Sequence, residues 1–185
     1  MKDKTVKTHL PIDDEGREII NLVVHDDSDF LSPYSGSSQE IVSQEVASFL
    51  DSKAKLIKQN KPLHIVVKSD KIEESERETY TRAIKNYYYN EKIDLERTLK
   101  FYLISSLILT IAAVAIFAIL YLWIINANIE ILSEIITVIG WVFLWEAVDL
   151  FCIRSSLLQV RRRRCQNFID AQISFVNISE KVKND

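Results

Sequence analysis

The amino-acid sequence predicts an α+β membrane protein: a two-span antiparallel transmembrane helical hairpin with long cytoplasmic helical extensions and a small N-terminal α/β domain of ββαβ type. Three observations predict it. Phe101–Ile125 carries no charge, and after the short linker Asn126–Glu130 a second apolar segment runs from Ile131 to Ile153. At 1.5 Å of rise per residue, about 20 apolar residues cross the hydrocarbon core, so each segment is long enough to span it. Glycine and proline nearly cease after Pro62, with Gly140 alone beyond it, so short elements and turns come first and long helices follow. Lys and Arg crowd both flanks, with Arg82, Lys85, Lys92, Arg97 and Lys100 before the first segment, Arg154 and Arg161–Arg164 after the second, and none between. Basic residues stay on the cytoplasmic side. Both termini are therefore expected in the cytoplasm and the loop outside, in a plasma or inner membrane.

The elements follow in order. Lys4–His9 is an edge-strand candidate that turns through Asp13–Gly16. Glu18–His25 is β-branched and apolar, the pattern of a buried strand. Ser37 or Ser38 caps a helix with Glu40 in its first turn, and Ile41, Val42, Val46, Phe49 and Leu50 mark its apolar face to about Gln59. Pro62 opens a second strand, Leu63–Lys68, which makes a βαβ unit with parallel strands. From about Lys71 a Glu-rich start leads into an amphipathic helix striped by Tyr80, Ile84, Tyr87, Tyr88, Leu95 and Leu99. The C-terminal segment repeats that pattern through Leu158, Cys165, Phe168, Ile169, Gln172, Phe175 and Val176, so the two stripes are expected to pack as a helical stalk. One covering helix leaves a sheet face to pack on the stalk or on another subunit. The organisation is thus 1–70 cytoplasmic α/β domain, 71–100 amphipathic helix leading into the membrane, 101–125 first span, 126–130 external loop, 131–153 second span, and 154–185 basic, helical cytoplasmic tail.

Composition narrows the function. Lys and Arg total 23 against 26 Asp and Glu, a net charge of −3, which lacks the basic excess of a nucleic-acid binder. The N-terminus has no apolar core for a cleavable signal, so the first span itself is expected to direct insertion. Cys152 and Cys165 have no local partner, and no disulfide is expected.

Glu146 and Asp149 are the most informative polar residues. A carboxylate at mid-depth costs about 2.5–3.5 kcal/mol, less near the interface. Antiparallel register sets them level with about Ile108 and Ser105, where the first span carries its hydroxyls Ser105, Ser106 and Thr110, with Lys100 and Arg154 at the rim. The cluster reads first as an interhelical clasp that fixes register, and second as a proton or cation site. Asn126, Asn128, Glu130 and Glu134 form an outer mouth, a solvated loop in a monomer and an acidic ring in an oligomer. Trp141 and Trp145, one turn apart near mid-depth beside Gly140, are expected to pack against helices and point to self-association. Arg161, Arg162, Arg163 and Arg164 serve as a topology anchor and suit anionic lipid.

In the soluble part, Asp26, Asp27 and Asp29 follow one strand and Asp70 the other. They read as hydrated turns; as an oxygen-ligand site they suit Mg²⁺ or Ca²⁺, and no other cofactor is expected. Three glycines exclude a glycine-rich phosphate loop. His9, His25 and His64 are scattered among strands, His64 reads as structural, and no nucleophile–base pair can be assembled from the sequence. The layout resembles that of CorA-type magnesium channels. The Gly-Met-Asn loop of those channels is absent, Asn126-Ala127-Asn128 standing in its place, so the chain is not assigned to them.

Two functions follow. The first is a non-enzymatic membrane protein that anchors and oligomerises a cytoplasmic interaction or sensing domain, with lipids, its own copies and a cytoplasmic protein as partners. The second is a small oligomeric cation channel or carrier that uses Glu146 and Asp149.

Overall fold

In the computed structural model the described residues are 10–24, 30–34, 40–57, 61–126 and 130–177. The chain divides into two compact units, one of Met1–Lys92 with Arg163–Asp185 and the other of Ile93–Arg162. Strand β1 spans Glu18–Val23, helix α1 Gln44–Ala54, β2 Leu63–Lys68, α2 Arg77–Asn126 and α3 Glu130–Val148. A π-helical segment, Asp149–Arg154, then leads into α4, Ser155–Ile169, and β3, Gln172–Val176, closes the order. Mixed helix and strand is as the sequence predicts, and two helices are long and apolar enough to cross a membrane.

The first unit is a parallel sheet in the order β1-β2-β3. Glu18 pairs with Leu63 and Val23 with Lys68, so β1 and β2 form the parallel pair expected of the βαβ unit. The third strand corrects the helical reading of the tail. Gln172–Val176 pairs with His64–Lys68, and the connection that makes β2 and β3 parallel contains both apolar helices. The residues fit either state: Gln172, Phe175 and Val176 recur at helical spacing, but Ile173 and Phe175 also alternate with Ser174 as in a strand. The unpaired N–H and C=O groups along β2 decide for the strand. Helix α4 accordingly stops at Ile169, its end marked by the Ala171 N–H donating to the Phe168 carbonyl at 3.3 Å.

Alternate residues of β1 and β2 are buried: Ile20 and Leu22 on one strand, Leu63, Ile65 and Val67 on the other. They share a core with Ala47 and Leu50 of α1, Tyr80, Ala83, Ile84 and Tyr88 of α2, and Cys165 and Phe168 of α4. Phe30 meets Tyr80 edge to face at 4.6 Å, and Tyr88 stacks on Phe168 at 4.1 Å. The Tyr88 hydroxyl donates to Asp51 at 3.1 Å; desolvation, with that carboxylate beside it, pushes the phenol far up and keeps it protonated. Of the stalk contacts expected from the stripes, the Tyr88–Phe168 stack is present. Gln172 and Val176 sit on β3 instead.

Helix α1 starts later than expected. Ile41 and Val42 precede it, Leu31 bridging Val42, and the extended Ser43 caps the helix by accepting from the Val46 N–H at 3.4 Å. The expected caps Ser37 and Ser38, and the edge strand Lys4–His9, lie outside the described residues.

In the apolar part of α2 in the second unit, the buried positions Ser106, Ala113 and Leu120 recur every seven residues. On α3, Gly140 and Ala147 repeat the same interval. A Cβ added at Gly140 would lie 2.8 Å from the Phe117 ring, so α3 approaches α2 closely there because its residue has no side chain. Phe117 also meets Trp141 edge to face at 6.3 Å.

Candidate functional site

The sheet carries a polar row on the face opposite the core. Strand alternation puts His64, Val66 and Lys68 on that face, with Gln172, Ser174 and Val176 across the ladder. A tight turn brings in Asp13. Asp13 Oδ1 accepts from the backbone N–H groups of Glu15 at 3.0 Å and Arg17 at 2.8 Å, and the Gly16 N–H returns to the Asp13 carbonyl at 3.0 Å. Gly16 closes this turn at φ +81°, a conformation that residues with a Cβ adopt only at a cost.

The second carboxylate oxygen, Asp13 Oδ2, accepts from Arg17 Nε at 2.6 Å and faces His64 Nδ1 at 3.3 Å. On the other side of the ring, His64 Nε2 lies 2.9 Å from Ser174 Oγ. Arg17 Nη1 donates to the side-chain oxygen of Gln172 and pairs with Glu15 at 2.8 Å. Desolvation pushes the Asp13 carboxyl upward. Hydrogen bonds from the Arg17 side chain, its backbone N–H and His64, with the Arg17 charge, outweigh that and bring it down to about 2. An ionised carboxylate only accepts, so the bonding assigns the ring proton to Nδ1 and leaves Nε2 to accept from the Ser174 hydroxyl. The result is a carboxylate, an imidazole and a hydroxyl in relay order, the arrangement that activates a nucleophile.

These three residues were not legible as a site in the sequence. His64 and Ser174 are 110 residues apart, and Asp13 and His64 are 51 apart. The expectation that β3 is helical removed the face on which Ser174 meets His64. The one available signal was the Asp13–Gly16 turn directly before a strand.

In the second unit, Glu146 and Asp149 gather around Arg154. Arg154 Nε lies 2.7 Å from Asp149 Oδ2, and its Nη2 lies 3.5 Å from Glu146 Oε1. In an α-helix, residues five apart do not share a face. The π segment widens the turn and brings Asp149 and Arg154 together, with both the N–H and the hydroxyl of the buried Ser155 donating to the Leu150 carbonyl. The expected hydroxyl partners are otherwise engaged, since Ser106 donates to the Leu103 carbonyl at 3.0 Å and Thr110 to that of Ser106 at 2.8 Å. Ser106 and Thr110 instead line an apolar groove of about 440 Å³ with Leu103, Leu107, Ala147, Val148 and Phe151. Ser105 is half-buried on α2.

Several of the other sequence candidates lie outside the described residues. Asn126 and Glu130 are the end of α2 and the start of α3, Asn128 lies outside the described residues, and Glu134 is exposed. Arg162 pairs with Glu96 at 3.2 Å; Arg161 and Arg163 are exposed and Arg164 is half-buried. Asp26, Asp27 and Asp29 lie outside the described residues, Asp70 is exposed, and among the described residues no three His, Cys, Asp or Glu side chains gather as a metal site. Cys152 and Cys165 form no disulfide with each other. Comparison of the chain with protein-family models, curated proteins and solved structures returns no match, so the geometry alone carries the functional argument.

Proposed function

We propose that the protein is an integral membrane protein in which an antiparallel two-span hairpin anchors a cytoplasmic α/β domain that senses or binds a partner. The observation that carries this reading is the pairing of β2 with β3. One strand precedes both apolar helices and the other follows both, and hydrogen-bonded strands share one aqueous compartment. The chain between them therefore crosses a membrane an even number of times. In this reading that number is two, as the two apolar segments of spanning length support, and the basic flanks support a cytoplasmic compartment for the sheet.

Exposure supports the same reading. Phe101, Ile108, Ile111, Val114 and Tyr121 on α2, and Val138 and Val142 on α3, present large apolar surface that lipid would solvate. Leu103 and Ser106 near the start of the first segment share a groove with Val148 and Phe151 near the end of the second, and Phe117 meets Gly140, as antiparallel helices require. Trp141 and Trp145 remain exposed in the single chain, and self-association through that face belongs to the proposal.

The ion pairs favour an anchor over a channel. Asp149 and Glu146 are matched to Arg154 at the end of the apolar segment, which satisfies them without a permeating ion. Cysteine substituted at Asn128 should react with an impermeant thiol reagent from outside, in a chain with Cys152 and Cys165 replaced, while tags at both termini stay protected. Exposure of either terminus outside would overturn the topology, and cation flux through purified protein in liposomes would overturn the anchor.

A further inference from the structure

We propose that Asp13, His64 and Ser174 form a nucleophilic centre for ester hydrolysis on the open face of the sheet. Ser174 Oγ is the nucleophile, His64 the general base and Asp13 the positioning carboxylate. The inference goes beyond the anchoring role and does not depend on it, because all three residues belong to the first unit.

Geometry carries the proposal. The serine oxygen lies 2.9 Å from His64 Nε2, within reach for direct proton transfer, and Asp13 faces the opposite ring nitrogen at 3.3 Å. The order is the one that nucleophilic catalysis needs: hydroxyl, base, then a group that holds the base in the useful tautomer. Asp13 is in turn held by the Arg17 side chain and by two backbone N–H groups of its own turn, so the last member of the relay is itself fixed.

The surroundings suit an acyl group. Val66 pairs directly with Ser174 across the ladder, and the exposed Val23 and Val176 flank Lys68 in the next row of the same face. Gln172 lies two residues from Ser174 on that face. Arg17 engages its amide oxygen, which leaves the amide nitrogen as the donor for a developing oxyanion. A single side-chain donor stabilises little charge, so the fitting substrate class is a short-chain carboxylic ester with a good alcohol leaving group rather than an amide.

The reaction balances without a cofactor. Ser174 Oγ attacks the carbonyl carbon as its proton passes to His64 Nε2. The tetrahedral adduct collapses, the alcohol C–O bond breaks, and His64 returns the proton to the departing alkoxide. Water repeats the sequence at the acyl-serine, releasing the carboxylic acid and restoring the Ser174 hydroxyl.

The test uses the full-length chain in nanodiscs, a fluorophosphonate probe with peptide mass mapping, and p-nitrophenyl butyrate hydrolysis. Wild-type protein should gain one phosphonyl adduct, on Ser174, and Ser174→Ala should gain none. His64→Gln should slow labelling and hydrolysis by about 100-fold or more, and Gln172→Ala should slow hydrolysis more than labelling. Wild-type protein that melts cooperatively yet takes no adduct, or an adduct that maps to another residue, would overturn the proposal. The decisive mapping is made on the wild type, so it holds even where a variant fails to fold.

Discussion

At the scale of single residues, the Asp13–Arg17 turn organises the open face of the sheet. Gly16 has φ +81° and nothing within 4 Å of an added Cβ, so Gly16→Ala meets only backbone strain. That strain is about 1–2 kcal/mol, and the melting temperature of the α/β unit should fall accordingly, with fluorophosphonate labelling of Ser174 reduced as Asp13 loses its hold. Asp13 makes stability depend on pH. Its carboxyl is lowered from 3.8 to about 2 on folding, so its contribution is complete above the unfolded value and is lost as pH falls through the folded one. Melting curves between pH 5 and 2 should therefore show a loss of stability between roughly pH 4 and pH 2 that Asp13→Asn flattens. An Asn variant with the wild-type acid profile would contradict the Arg17–Asp13–His64 network.

At the scale of elements, the contact of α2 with α3 depends on a missing side chain. The nearest atom to a Cβ at Gly140 is the tip of the Phe117 ring, 2.8 Å away, which can swing aside. A Cβ there also comes within 3.3 Å of Ile116, so Gly140→Ala should be tolerated better than Gly140→Leu, whose further methyl groups should cost about 1–3 kcal/mol by overpacking. Phe117→Ala should recover part of the Leu penalty in a double-mutant cycle read by unfolding in detergent; additive penalties would mean that the two residues do not touch. The π segment makes a different demand. Arg154 reaches Asp149, five residues away, only because the turn is wide; deleting one residue between Leu150 and Ile153 would leave the pair four apart, a spacing an α-helix brings together, whereas Arg154→Gln removes the pair outright. Yield of folded protein should fall with Arg154→Gln, and a normal yield from that variant would show that the pair contributes nothing to folding.

At the scale of the whole molecule, the sheet is completed by a strand that follows both apolar helices. Folding of the α/β unit therefore waits for the chain to pass through the whole second connection. A chain ending at Ile169 lacks β3, and the edge of β2 is left unpaired. Its amides at Ile65 and Val67 should lose most of their hydrogen-exchange protection, while the amides of α2 in the apolar segment keep theirs. Undiminished protection of β2 in that shortened chain would show that β3 is dispensable to the sheet.

What the sequence by itself determined is what depends on local composition. Apolar runs of spanning length identify α2 and α3, and β-branched runs bounded by turn residues identify β1 and β2. Only the tertiary structure decided the fate of Gln172–Val176, because a five-residue pattern fits strand and helix alike and the vacant edge of β2 chose between them. It also decided the partner of Glu146 and Asp149. A register count points to hydroxyls across the helix pair, whereas a π turn, which leaves no mark in hydropathy, delivers Arg154 from the same helical run. The Asp13–His64–Ser174 row belongs to the same class. Its members share no sequence neighbourhood, and only the parallel pairing of β2 with β3, across the connection that holds both apolar helices, sets imidazole and hydroxyl 2.9 Å apart.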